Sequence, residues 1–261
     1  MMTLWVIILS VIQGITEFLP ISSSAHLFLT PWIFNFPDPG LAFDAAIHIG
    51  TALALLVFFG REFWKMFVDK DKLLWYILIA SVPAAILGFL GDSLIDKYLH
   101  QSSYAPLIIG IGIAFFAVVL YIVDKTAKLD EGIEQFSLKQ SLIVGFAQAL
   151  ALVPGTSRSG ITITAGLWLG LKREDAARFS FLLATPISLG AGAYKLQQLL
   201  RHPQHNLSNL NIFLGILVSF VVGVIVIAWF LKYLKKHTMT IFVVYRIILG
   251  LFVVGLWFYR K

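Results

Sequence analysis

Long uninterrupted apolar runs dominate this 261-residue chain, and two of them are broken by short clusters of proline, glycine, serine and ionisable residues. A bilayer core has no water to hydrogen-bond the backbone, so such a chain can cross it only as helices or as a closed barrel. The runs are continuous rather than alternating segments of about ten residues, which selects helices. Composition agrees: 59% of the residues are hydrophobic and 13% charged, whereas a soluble domain carries about a quarter charged residues. The expected fold class is an all-α polytopic membrane protein, a single integral membrane domain over residues 1–261.

Spans are expected at about 41–60, 73–91, 105–123, 176–194, 211–231 and 240–259, which makes six transmembrane helices. Residues 1–36 and 137–171 read differently, each with an apolar run, a Pro/Ser/Gly-rich break and a second short apolar run. Breaks at membrane depth survive only where protein or a water-filled cavity satisfies the freed backbone. Both regions are therefore expected to be re-entrant helical hairpins whose tips meet near mid-membrane. With both termini outside, thirteen of the twenty Lys and Arg residues fall on inner loops and five on outer segments, leaving Arg158 and Arg246 within the membrane. This is the bias of the positive-inside rule. Full spanning pairs in place of the hairpins would leave the same orientation.

The two breaks also resemble one another. Laying Pro20 on Pro154 sets Ser24 opposite Arg158 and His26 opposite Gly160, and Pro83 and Pro186 each stand in the middle of a span. One hairpin and three spans per half give approximate repeat halves 1–124 and 137–261 of opposite direction. Inverted repeats with broken helices are typical of secondary transporters, so a transporter or flippase of an anionic lipid is the rival to an enzyme. A non-catalytic lipid-binding scaffold is a third reading. The chain has no cysteine, which excludes disulfides and thiolate metal sites. The net charge of +6 is spread through loops and reports topology, so no nucleic-acid partner is expected. No cleavable signal peptide is expected either, because Met1-Met2-Thr3-Leu4 lacks a basic start.

The polar residues of the breaks carry the chemistry. Ionisable groups at membrane depth are expensive, about 2.5–3.5 kcal/mol each on insertion scales, and are functional candidates for that reason. Gln13 and Glu17 share one helical face. Glu17 can bind a divalent cation, Mg²⁺ or Ca²⁺, with Gln13 beside it; it can act as a general base, or it can be a solvated carboxylate near a shallow surface. Ser22, Ser23 and Ser24 follow Pro20 and precede His26. One of them can cap the next helix, while a serine with a histidine nearby makes an activated nucleophile. In the second break Ser157, Arg158, Ser159 and Thr162 surround glycines, a pattern suited to an anion at a helix start. The Arg158 guanidinium offers a planar grip on phosphate oxygens, or a counter-ion for Glu17. Arg246 lines the cavity or snorkels inward, and Asp44 and His48 either support the site or begin a solvated helix. Trp32, Trp64, Trp75, Trp229 and Trp257 read as interfacial anchors.

Together these residues resemble the undecaprenyl-diphosphate phosphatase family of bacterial membrane enzymes, also known for bacitracin resistance. Its pattern of Glu or Gln, three residues, Glu, then Pro-x-Ser-Ser-x-x-His is matched by Gln13, Glu17, Pro20, Ser22, Ser23 and His26. Its second pattern, Pro-Gly-x-Ser-Arg-Ser-x-x-Thr, is matched by Pro154, Gly155, Ser157, Arg158, Ser159 and Thr162. The resemblance implies hydrolysis of undecaprenyl diphosphate to the monophosphate, recycling the lipid carrier of cell-wall and peptidoglycan synthesis. It implies dependence on a divalent cation and a multi-pass protein of the bacterial plasma membrane whose active site faces outside. Glu17, Ser23, His26 and Arg158 are then the expected catalytic residues, Ser22, Ser157, Ser159 and Thr162 the substrate-binding ones, and Glu17 with Gln13 the metal ligands. The expected partners are a polyprenyl diphosphate lipid and the bilayer, with a homodimer left open. Many relatives carry Glu where Gln13 stands, so Glu17 is the main anionic group of the first hairpin.

Overall fold

The computed structural model describes residues 2–36, 40–95, 102–201 and 208–261. Among them the fold is helical, and the sole extended feature is one backbone bridge between Glu131 and Leu171. The first region forms α1 (Met2–Thr16) and α2 (Ser23–Phe34), separated by the proline-bearing break. Three long helices follow, α3 (Leu41–Val68), α4 (Lys72–Ile95) and α5 (Ala105–Thr126). The second region forms α6 (Leu138–Ala149), a 3-10 turn at Leu150–Leu152 and α7 (Arg158–Trp168). The chain closes with α8 (Arg173–Arg201), α9 (Asn209–Leu234) and α10 (Thr240–Arg260).

All six stretches read as spans lie in α3, α4, α5, α8, α9 and α10, and both interrupted regions fold as helix, break, helix. The long helices run past the apolar limits; α3 continues through Arg61, Glu62 and Lys65, because charged residues end an apolar run without ending a helix. Among the described residues four helices are long and apolar enough to cross a membrane: Phe43–Val68, Ala105–Thr126, Asn209–Leu234 and Thr240–Arg260. Pro83 and Pro186 sit inside α4 and α8, and Ser81 Oγ donates across to the Leu183 carbonyl at 3.4 Å.

Packing is direct where small residues allow it. A Cβ on Gly145 would stand 2.1 Å from the Ala80 carbonyl oxygen, so α6 lies against α4 backbone to backbone. Likewise α1 approaches α9 at Gly14, whose Cβ would meet Val222 at 2.7 Å. Beside the first break an aromatic cluster fills the core, with Phe18 edge-on to Phe181 at 5.6 Å and Phe181 6.1 Å from Phe230. Phe18 is fully buried and adjoins Glu17, so the core fixes where that carboxylate emerges.

The helix ends gather in two layers. At one end Asp124, at the close of α5, accepts from Arg173 Nε at 2.6 Å and from the Met239 backbone N–H at 3.2 Å. Arg178 pairs with Glu62 at 2.8 Å and Lys235 with Glu174 at 3.2 Å in the same layer. At the other end Arg260 donates to the carbonyls of Trp32 and Ile33 at 2.6 and 3.0 Å, and the Trp257 indole donates to the Ser103 carbonyl at 2.9 Å.

Candidate active site

Each break ends on a serine held in the left-handed region, Ser22 with φ 73° and Ser157 with φ 73°. A non-glycine residue there is uncommon and costs about 1–3 kcal/mol, so the surroundings must impose it. In the second hairpin Ser157 Oγ accepts from the Gly160 N–H at 3.1 Å, a side-chain cap. Gly155, with φ 83°, takes the chain past α5, where any Cβ would come within 2.6 Å of the Ile109 carbonyl oxygen. In the first hairpin His26 Nδ1 lies 2.7 Å from the Ser22 carbonyl. A carbonyl only accepts, so Nδ1 carries the hydrogen and the ring pins the turn.

Arg246 of α10 fastens both breaks together. It is fully buried, and its guanidinium donates to the carbonyls of Pro20 (3.1 Å), Gly155 and Thr156 (both 2.9 Å) and Ile113 (3.2 Å). It neither lines the cavity nor snorkels; it satisfies the Pro20, Gly155 and Thr156 carbonyls that the breaks leave open and adds a bond to the Ile113 carbonyl within α5. Ser159 adds a second tie, donating to the Leu19 carbonyl at 2.8 Å.

These ties bring Ser23 and Arg158, the first residues of α2 and α7, to one cavity of about 280 Å³. Two helix N-termini with free N–H groups thus open on it, a setting favourable to an anion. Glu17 stands between them. Its Oε1 accepts from Arg158 Nη2, and its Oε2 accepts from Ser23 Oγ at 2.6 Å and Gln13 Nε2 at 3.0 Å. Arg158 Nη1 donates to Ser188 Oγ of α8 at 2.6 Å, so its planar fork is divided between the two. His48 of α3 faces the same carboxylate, Nε2 to Oε2 at 3.9 Å, while its Nδ1 lies 2.7 Å from the Asp44 carbonyl. The cavity wall continues through Gln148 of α6 and through Ala84, Gly88, Ala191 and Gly192 of α4 and α8.

The chain matches the family model described as bacitracin resistance protein BacA over residues 6–252. It is 40% identical over 269 residues to the undecaprenyl-diphosphatase of Moorella thermoacetica, covering 100% of both chains. It is 41% identical to the undecaprenyl-diphosphatase of Caldicellulosiruptor bescii, covering 100% of this chain and 99% of the relative. A relative of the same name from Desulforudis audaxviator is 40% identical over 95% of each chain. This chain belongs to the BacA bacitracin-resistance family.

For a BacA-family chain, the described geometry sets five of the expected site residues on the cavity and leaves Gln13, His26, Ser159 and Thr162 off its wall. Glu17, Ser22, Ser23, Ser157 and Arg158 line the cavity. Ser159 and Thr162 are buried away from it; Thr162 Oγ1 meets the Arg158 carbonyl at 2.8 Å and Ser180 Oγ at 2.6 Å, so both tie elements together. The serine that a histidine was expected to activate bonds Glu17 instead. His26 Nε2 lies 2.6 Å from Tyr245 Oη, and with Nδ1 protonated it accepts that phenolic hydrogen. Ser24, His48, Gln148 and Ser188 complete the cavity polar set. Ser188 carries no sequence signal beyond its place two residues after Pro186. Gln148 was hidden by the alignment of prolines: the second break has one residue more between proline and cap, so Ser22 corresponds to Ser157, Ser23 to Arg158 and Gln13 to Gln148.

Glu17 and Gln13 are the candidate holders of a divalent cation. Among the described residues no three His, Asp or Glu side chains gather into a cage. Gln13, however, is buried with its Oε1 unpartnered, a carbonyl-type oxygen beside the one carboxylate. This donor set fits an ion of the Mg²⁺ kind, which is held by one or two carboxylates and substrate phosphate oxygens.

Proposed function

We propose that this chain hydrolyses undecaprenyl diphosphate to undecaprenyl phosphate and inorganic phosphate, recycling the lipid carrier of bacterial cell-wall synthesis. The observation that carries the reading is one carboxylate, Glu17, holding both a serine hydroxyl and one amino group of an arginine where two helix N-termini converge. A polyprenyl chain buries about 0.8 kcal/mol per CH₂ and stays in the bilayer, so the phosphate chemistry must come to the lipid. Phosphoryl transfer needs positioning and charge neutralisation above all. The diphosphate competes with Glu17 for Arg158, and that exchange frees the carboxylate to act as a base. Ser23 Oγ then bonds to the terminal phosphorus while its proton passes to Glu17. The bond to the bridging oxygen breaks, undecaprenyl phosphate leaves with that proton, and water hydrolyses the phosphoserine to restore Ser23. His26 holds the turn that presents Ser23 and is the proton carrier of the first hairpin once its ring leaves Tyr245. Glu17 and Gln13 would hold a divalent cation, which would neutralise phosphate charge. Every residue of this scheme comes from one chain, so no second copy is required.

The accompanying topology is six spans and two re-entrant hairpins related as an inverted repeat, in the plasma membrane with the site facing outside. It is supported by the equivalent cap serines and by α1 on α9 matching α6 on α4. The basic residues collect in the Asp124 and Arg173 layer, and the cavity walls of α3, α4 and α8 come from the helix halves farthest from that layer.

Purified protein in detergent, given undecaprenyl diphosphate, is expected to release phosphate, and Arg158→Ala to stop it. Absence of release, with translocation of the intact lipid across vesicles, would replace the enzyme by a flippase.

A further inference from the structure

Gln148 is 3% exposed, lines the cavity, and has no hydrogen-bond partner among the described residues for either Nε2 or Oε1. Buried amides without partners are rare, since the group forfeits its solvation and gains nothing. A methionine or leucine would fill the same volume without that penalty, so packing does not account for an amide here.

The first hairpin shows what such an amide does. Gln13 precedes its cap serine Ser22 by nine residues, and Gln148 precedes Ser157 by nine. Gln13 spends its N–H on an anion, donating to Glu17 Oε2 at 3.0 Å. The residue that corresponds to Glu17 in the second hairpin is Leu152, and it also lines the cavity. The second amide therefore faces the same space, yet among the described residues it is bonded to no carboxylate. Arg158, Ser23 and the starts of α2 and α7 make that space suited to an anion.

We propose that Gln148 is a substrate-contacting residue, its amide N–H₂ donating to a phosphoryl oxygen of the bound diphosphate. This rests on the hydrolytic reading above and adds a donor from the second hairpin that neither motif contains. A neutral donor here tightens the grip without a further charge, which would hold the phosphate products as firmly as the substrate.

The test uses the full-length protein in detergent with undecaprenyl diphosphate, comparing wild type, Gln148→Met and Gln148→Glu. Losing one hydrogen bond to a charged group lowers kcat/KM by about 10–100-fold, so Gln148→Met is expected to fall that far, chiefly through KM. Its thermal midpoint is expected to equal or exceed that of wild type, because an unpartnered buried amide has gone. Gln148→Glu keeps the shape but sets an anion against an anion, so it is expected to lose more than Gln148→Met and to stay low in added Mg²⁺ or Ca²⁺. Gln148→Met with an unchanged KM, whether active or merely unstable, would overturn the proposal. Recovery of Gln148→Glu by the cation would also overturn it and make the residue a cation ligand. Binding of a non-hydrolysable methylene-bisphosphonate analogue, measured by calorimetry, separates the two readings. If wild type binds it without hydrolysing the diphosphate, and Gln148→Met binds it at least tenfold more weakly, the contact stands and the enzymatic reading falls.

Discussion

Arg158 donates from one amino group to Glu17 and from the other to Ser188, so phosphate meets a guanidinium already fixed in place by two partners, with N–H donors to spare. Arg158→Ala is expected to lower kcat by about 10³-fold or more, the scale of an arginine that stabilises phosphoryl-transfer charge. Arg158→Lys should recover little, since a point charge cannot serve two positions in one plane. Turnover of folded variants checks this, and a near-normal Lys variant would sink the two-position role. Glu17→Gln tests the proposed base and the proposed cation ligand together. A loss of about 10²–10⁴-fold is expected, with a residual rate that barely responds to Mg²⁺ or Ca²⁺. The same metal titration in wild type and variant would separate Glu17 from the cation. His26 and Tyr245 form a third test. His26→Ala should fall by about 10²–10⁴-fold, whereas Tyr245→Phe only releases Nε2 and should stay within about threefold of wild type. Equal losses in the two would make the pair a fixed support and leave the imidazole no proton to move.

Between the two hairpins the decisive element is α10, which carries Arg246 to both breaks. Arg246→Met would orphan the three break carbonyls of Pro20, Gly155 and Thr156, each costing about 1–3 kcal/mol when buried without a partner. A fall in thermal midpoint, with turnover lost even in the surviving folded fraction, is expected. Unchanged stability would mean that water satisfies those carbonyls. The element layout was legible because apolar runs and proline-rich interruptions follow directly from what a bilayer tolerates. The breaks, and the residues gathered around them, were legible for the same reason, since polar groups at membrane depth stand out. Contacts between elements were not. Nothing local in Met239-Thr240-Ile241-Phe242 and the residues after it says that Arg246 points at Pro20 and Gly155 rather than inward. Nor does the spacing of Ser23 and His26, three apart at a helix start, show that one turns to Glu17 and the other to Tyr245. Gln148 escaped notice because one extra residue between Pro154 and Ser157 shifts the register that would have set it against Gln13.

At the scale of the molecule, the ionic layer holding Asp124, Arg173, Arg178 and Lys235 lies at one end, and the cavity walls lie toward the other. If that layer is cytoplasmic, as its Lys and Arg content requires under the positive-inside rule, the cavity opens outward. The natural chain has no cysteine, so a single introduced thiol reports its own position without background. Ala191→Cys lines the cavity and Lys236→Cys follows the end of α9 beside the ionic layer. In intact cells a membrane-impermeant maleimide is expected to label Ala191→Cys, and an isoprenyl bisphosphonate analogue to slow that labelling. Lys236→Cys should react only after the membrane is permeabilised. Six spans and two hairpins also require Arg260, at the close of α10, and Trp32, in α2, to lie on one side, as their hydrogen bond has them. Arg260→Cys should therefore label from outside as Ala191→Cys does. Labelling of Lys236→Cys from outside, with Ala191→Cys and Arg260→Cys protected, would invert the molecule and place phosphate release in the cytoplasm. Labelling of Ala191→Cys from both sides, switched by ligand, would give the inverted repeat an alternating-access role and return transport to the mechanism.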